Sequence, residues 1–268
     1  MSPMALTLLI TLAVLLGLMT VLWLASVARR DASLVDPFWG TGFVVVAWLA
    51  CALQESVGSR ALLLAVLTTL WGLRLSLFLL RRNWGHGEDR RYRAMRDHWG
   101  PRFWWVSYFT VYLLQGLILW FVSLPLQGAI VVGRAEFPGW LDVVGLVLWT
   151  VGVALESVGD WQLARFQADP NNAGRVLDRG LWRYTRHPNY FGDFCVWWGL
   201  YLIAAAGGAW WTVGSPLAMS FFLMKVSGVT LLERTIVDRR PDYAAYQQRT
   251  NAFFPGPPRR TVSRHENR

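Results

Sequence analysis

Long apolar runs constrain this chain more than any other feature. A helix that spans a bilayer needs about 20 mainly apolar residues, because lipid offers no partner for a bare peptide group. Seven stretches meet or approach that length: 6–28, 38–53, 61–80, 103–122, 140–158, 194–206 with its flanks, and 211–232. The second and sixth are the shortest. Charged residues make up only 16% of the 268, against about 25% in a soluble domain. Together these features exclude a disordered chain and an ordinary soluble globule. The expected fold is all-α: an integral membrane bundle of seven transmembrane helices. It forms one domain over 1–254, followed by a poorly ordered Pro- and Arg-rich cytoplasmic tail over 255–268.

The charge that remains is strongly basic, with a formal net charge of +9. A balance of this size can point to nucleic acid, but its distribution points to a membrane. Of 26 basic residues, 25 are Arg and one is Lys225. With the C-terminus inside, the inner segments 28–36, 81–102, 159–190 and 233–268 hold 22 Arg, and the outer segments hold only Arg60 and Arg134. That asymmetry is a positive-inside signal and supports an odd number of spans. It places the N-terminus outside and the C-terminus in the cytoplasm. The first segment has no basic n-region and is followed by Arg29-Arg30, so it reads as a span and not as a cleaved signal.

Several chemistries find no support. Two cysteines, Cys51 and Cys195, exclude a disulfide framework and Cys-rich metal sites. His86, His98, His187 and His265 show no ligand spacing, so no metal is expected. No P-loop, GxSxG or strand-borne GxGxxG is present. No motif encodes an oligomeric state.

Charge within a span usually faces a cavity or a partner. Arg74 is open to two readings, neutralising a carboxylate or snorkelling to the interface. Gln54 and Glu55 lie at the outer end of the second span. Glu55 is either interfacial and solvated, or lines an apolar pocket where desolvation keeps it protonated and able to donate.

The densest polar constellation lies on the cytoplasmic side. Glu156 and Asp160 are four apart and share a helix face. Arg165 and Arg175 follow, then Gly180-Leu-Trp-Arg-Tyr-Thr-Arg-His-Pro-Asn-Tyr-Phe-Gly-Asp193, which contains Arg183, Arg186, His187, Asn189 and Tyr190. Guanidinium groups suit phosphates, carboxylates and amides suit ribose hydroxyls, and aromatic faces suit a base. A basic loop on anionic lipid headgroups also explains the arginines, but not the interspersed Asp, Asn and His. Glu233 and Arg234 leave the seventh span beside this loop.

The run 180–193 resembles the C-terminal signature of the steroid 5α-reductase family, shared with integral-membrane sterol reductases and isoprenylcysteine methyltransferases. Gln54-Glu55 resembles the Gln-Glu pair of the family's second span, and Leu114-Gln115-Gly116 a stretch in its fourth. Asp160-Trp-Gln-Leu, with Arg175 fifteen residues on, fits the reductases' cofactor loop. The bacterial members are the most similar, which implies a bacterial inner membrane. The resemblance implies a seven-helix enzyme that uses NADPH to reduce the Δ4 double bond of a 3-oxo steroid or sterol-like lipid taken from the membrane. It assigns Gln54 and Glu55 to the 3-keto oxygen. It assigns Glu156, Asp160, Arg165, Arg175, Arg186, His187, Asn189, Tyr190, Asp193, Glu233 and Arg234 to NADPH. Animal members pair the glutamate with a tyrosine in the third span. That span has none here; Arg74 or Ser76 stands nearest, and Tyr112 on the fourth span could substitute.

The implied chemistry is a conjugate reduction, in which donors aimed at the carbonyl oxygen stabilise the developing enolate. The alternative is an integral-membrane S-adenosylmethionine-dependent methyltransferase of the isoprenylcysteine type, which needs no deep proton donor. A lipid-binding scaffold without nucleotide affinity is the non-enzymatic alternative.

Overall fold

The computed structural model describes residues 1–132, 137–226, 233, 240 and 242–259. Among these every regular element is helical. Five segments are long and apolar enough to cross a membrane: Pro3–Arg29, Ala32–Ala52, Ser59–Asn83, Arg90–Val122 and Trp140–Ala168. The chain is a multi-pass membrane protein, but with five such segments among the described residues, not the seven expected. The expected sixth belongs to the helix Pro188–Ala206, whose first two turns carry Asn189 and Asp193 and leave a short apolar stretch. The expected seventh opens as a 3-10 turn, Trp210–Val213. It continues as the helix Gly214–Phe221 and the π turn Phe222–Val226, and its remainder lies outside the described residues.

The helices are named α1 (Pro3–Arg29), α2 (Val35–Ala52), α3 (Ser59–Asn83), α4 (Arg90–Trp99), α5 (Phe103–Ser107), α6 (Leu114–Val122), α7 (Leu124–Val132), α8 (Trp140–Ala168), α9 (Pro188–Ala206), α10 (Gly214–Phe221) and α11 (Tyr243–Arg249). They fall into two compact units. Unit one is 1–143 with 201–215, and unit two is 144–200 with 216–268.

In unit one, α2 and α3 pack backbone to backbone. A methyl group on Gly72 would lie 2.5 Å from the Gly40 carbonyl oxygen, so only glycine fits this crossing. Close approach of this kind is how helices associate in lipid, where apolar burial by itself gains nothing over contact with acyl chains. The Thr41 amide donates to Ser76 Oγ at 2.9 Å one turn away. Around this contact Leu15, Phe43, Leu64, Trp71, Leu119 and Leu126 form a sealed core. The helix ladder breaks at Ser123, because Pro125 has no amide to donate, and resumes as α7. This short helix occupies what reads in sequence as an outer loop, yet Leu126, Gln127 and Ala129 are fully buried. Gln127 accepts from Thr11 Oγ1 at 2.6 Å and donates to Ser123 Oγ at 2.8 Å, so its amide is satisfied away from water.

In unit two, α8 and α9 cross through a glycine ladder. Gly145 and Gly152 on α8 face Gly199 and Gly192 on α9, and a methyl on any of Gly152, Gly192 or Gly199 would sit 2.6 Å from a facing carbonyl oxygen. The seven-residue spacing keeps these small residues on one stripe. Beyond α8 the chain loops back. Phe166, Leu177 and Trp182 make a small buried cluster packed by Leu163. Trp182 Nε1 donates to the Gly159 carbonyl at 3.2 Å, and the Leu181 amide donates to Gln162 Oε1 at 3.0 Å. These bonds lay 181–182 along the later turns of α8.

The segment just after α11, described through residue 259, packs against 184–194. The Arg186 amide donates to the Asn251 carbonyl at 2.9 Å, and the Gly256 amide to the Tyr184 carbonyl at 3.0 Å. Phe253 and Phe254 stack edge-on against Phe191 and Phe194. These backbone bonds and the burial of Phe253 hold the segment against α9.

Candidate functional site

The helical repeat of α8 puts Glu156, Gly159 and Asp160 on the face that meets the start of α9. Glu156 and Asp160 are 3% and 5% exposed, so two carboxylates are withdrawn from solvent here. Pro188 begins α9 and lies against Gly159, where a methyl would come within 3.3 Å of its ring. The next residue, Asn189, donates from Nδ2 to Asp160 Oδ1 at 3.1 Å. Asp193, half-buried, stands one turn further along α9. A methyl on Gly192 would come within 2.8 Å of the Glu156 side chain, so the ladder glycine makes room for the carboxylate. Glu156, Asp160, Asn189 and Asp193 are therefore brought to one region of unit two.

Arg186 and His187 do something else. The Arg186 guanidinium donates from Nε and Nη2 to the two carboxylate oxygens of Glu233, at 2.6 and 2.9 Å. Its Nη1 donates to the carbonyls of Gln247 and Thr250, at 3.0 and 2.6 Å. It is 9% exposed. His187 Nε2 lies 3.1 Å from Glu233 Oε1, and Gln247 Nε2 donates to Glu233 Oε2 at 3.0 Å. Burial alone would raise the Glu233 carboxyl. Hydrogen bonds from His187 and Arg186, with their charges, outweigh it and pull the group down to about 2. Tyr243, burying its phenol beside this carboxylate, is pushed up. Arg186, His187 and Glu233, expected on a cofactor, thus have their polar atoms engaged within the protein. The reason is geometric: Arg186 caps the carbonyl end of α11, a partner that sequence distance hides. Arg234 lies outside the described residues.

The remaining expected residues are peripheral. Tyr190 stacks its ring on His187, with centroids 5.5 Å apart and planes 4° apart. Arg175 and Arg165 are exposed, and the Arg165 guanidinium lies over the Trp161 ring at 5.5 Å.

In unit one, Gln54 and Glu55 follow the end of α2. Gln54 Nε2 donates to the Ala50 carbonyl at 3.1 Å and to Thr7 Oγ1 at 3.3 Å. Glu55 is exposed in the turn. Tyr112, a candidate partner donor, is fully buried and donates its hydroxyl to the Ala32 carbonyl at 3.1 Å.

Two polar assemblies were not anticipated. Asp36, at the start of α2, accepts from the Tyr92 hydroxyl at 2.7 Å and from Arg91 Nη2 at 2.8 Å. Gln115 Nε2 donates to the same Tyr92 oxygen at 3.2 Å, and Trp39 Nε1 to Gln115 Oε1 at 2.5 Å. Beside it Glu88 accepts from Arg96 and from the Ala32 amide; despite its burial, these bonds hold it below the usual carboxylate range. The second assembly is a bidentate ion pair. Arg60 meets Asp142 at 2.8 and 2.7 Å, with side chains 3% and 2% exposed. In sequence Arg60 counts only as an outer-loop charge. An acidic residue among the aromatics that open an apolar run was the available signal for both assemblies, at Asp36 and at Asp142.

Residues 22–250 match the family model described as a protein of unknown function, DUF1295. The chain belongs to that family. An uncharacterized protein of Schizosaccharomyces pombe, C594.04c, is 29% identical over 266 residues, covering 88% of this chain and 76% of its own length. The cobalt-zinc-cadmium resistance protein CzcN of Cupriavidus metallidurans is 29% identical over 125 residues, covering 46% of this chain and 55% of its own. No solved structure matches this chain. Among the described residues, no three His, Cys, Asp or Glu side chains converge so as to hold a metal ion.

Proposed function

We propose that this DUF1295 member is an NADPH-dependent reductase of a membrane-borne lipid enone, with a 3-oxo-Δ4 steroid as the model substrate. The observation that carries the reading is the pairing of buried Asp160 with half-buried Asn189 beside buried Glu156, within the stretch that most resembles the reductases. Paired carboxylates and an amide suit the hydroxyls of a ribose, and the exposed arginines that follow suit its phosphates. The donor set therefore fits a phosphorylated dinucleotide, with Asp160, Asn189, Glu156, Asp193 and Arg175 as its holders. Arg186, His187 and Glu233 act in support, by fixing the loop that presents Asn189.

NADPH, when bound, supplies a hydride. The helices of unit two orient it and limit water. Gln54 and Glu55 are assigned to the substrate carbonyl, where a donor stabilises negative charge as it develops on oxygen. The proposal also places the protein in a bacterial inner membrane with its C-terminus in the cytoplasm, supported by the arginine asymmetry.

Titration of the purified protein in detergent tests the cofactor. Tryptophan fluorescence is expected to be quenched by NADPH and not by S-adenosylmethionine, and the reverse result would establish the methyltransferase alternative. NADPH oxidation is then measured against steroid and isoprenoid enones. Glu55→Gln is expected to keep NADPH binding and lose most turnover; undiminished enone reduction by this variant would remove Glu55 from the reaction.

A further inference from the structure

Unit two carries two shallow concavities, each of about 360 Å³, on either side of one ion pair. The pair is Asp178 with Arg249, at 2.8 Å, and both side chains are nearly half exposed. Arg175 and Asp242 line the first concavity with them. Arg179, Arg183 and Thr250 line the second. Four guanidinium groups thus surround a double trough that holds only two carboxylates. Each volume is in the range of small-ligand clefts, about 300–1,000 Å³.

Contacts with the scaffold position this rim. The Arg175 carbonyl accepts from Arg240 Nη1 at 2.7 Å, Arg179 lies over the Phe166 ring at 6.0 Å, and Arg249 ends α11, the helix that Arg186 caps. Among the described residues no carboxylate pairs with Arg175, Arg179 or Arg183. The planar guanidinium fork matches a tetrahedral phosphate better than a lysine would, and the basic residues here are all arginine.

We propose that this double trough binds phosphate groups, with Arg175, Arg179, Arg183 and Arg249 as its donors. Asp178 holds Arg249 in position until a phosphate takes the place of the carboxylate. The assignment stands on this geometry. Only the choice of a nucleotide as the source of the phosphate rests on the reductase reading; an anionic lipid headgroup offers the same chemistry.

Binding is measured by titration calorimetry on the full chain in a neutral detergent, with inorganic pyrophosphate and NADPH as soluble probes. Phosphatidylglycerol nanodiscs, compared with phosphatidylcholine ones, provide the lipid arm. Arg249→Gln is expected to weaken binding about tenfold, the loss of one charge-assisted hydrogen bond. Asp178→Asn is expected to tighten it several-fold, because Arg249 is released, and both effects should shrink as salt rises. These residues are exposed, so the variants should fold. Opposite shifts for NADPH identify a nucleotide source, and opposite shifts for phosphatidylglycerol alone identify a lipid source. If pyrophosphate shifts while NADPH does not bind, the trough stands and the reductase reading fails. If NADPH binds but no probe responds oppositely to the two substitutions, the trough is overturned and the reductase reading survives.

Discussion

Replacing Glu233 with Gln tests whether the buried ion cluster holds unit two together. The substitution preserves shape and removes the charge that Arg186 and His187 share. A carboxyl whose pKa falls from 4.5 to about 2 on folding contributes roughly 3 kcal/mol at neutral pH, at about 1.4 kcal/mol per tenfold change in proton affinity. The group is depressed, so its contribution is complete above about pH 4.5 and is lost as the pH falls toward about 2. The cluster ties 184–187 to 247–256, and its backbone bonds include Arg186 N to Asn251 O and Gly256 N to Tyr184 O. Hydrogen–deuterium exchange of these amides reads the effect directly. At pH 7 their protection in Glu233→Gln should fall by roughly 100-fold, as a loss of about 3 kcal/mol requires, while α2 and α3 remain protected. Equal protection in the two proteins at pH 7 would show that the cluster carries no stability.

Two further tests follow from packing. Asp142→Asn leaves the buried Arg60 guanidinium without a counter-charge and should cost about 3–5 kcal/mol, read as a lower midpoint on denaturant titration in detergent; Asp142→Asn with Arg60→Met should recover part of that loss. Gly192→Val drives a side chain into the Gly152 carbonyl and Glu156, so it should abolish the protected core of unit two, whereas Gly17→Val, with open space around it, should be silent in the same measurement.

The legible parts of this chain were those set by long local patterns. Runs at 6–28, 38–53 and 61–80 became α1, α2 and α3 with ends shifted by a few residues, because a continuous apolar run in lipid has no alternative to a helix. The carboxylates Glu156 and Asp160 fell on one face because their spacing is one helical turn. Elements whose stability comes from distant partners were illegible. The buried helix α7 looks like a loop because its Gln127 is satisfied by Thr11, 116 residues away. The pairing of Arg60 with Asp142 crosses 82 residues. The sixth apolar run falls in α9, whose first two turns are polar, and the seventh continues past residue 226, outside the described residues.

By itself, then, the amino-acid order determined that the chain is helical and that it lies in a membrane, since these follow from the period and polarity of neighbouring residues; its cations cluster in a few stretches between the apolar runs. The tertiary structure decided which of those cations are free to meet a ligand. Arg175, Arg183 and Arg186 belong to one basic stretch and look equivalent in sequence. Only folding places Glu233 and the carbonyl end of α11 around Arg186, and leaves Arg175 and Arg183 at the rim of a trough. A guanidinium is neutralised by whatever acceptor lies within about 3 Å, and that distance is set by the crossing of helices far apart in the chain.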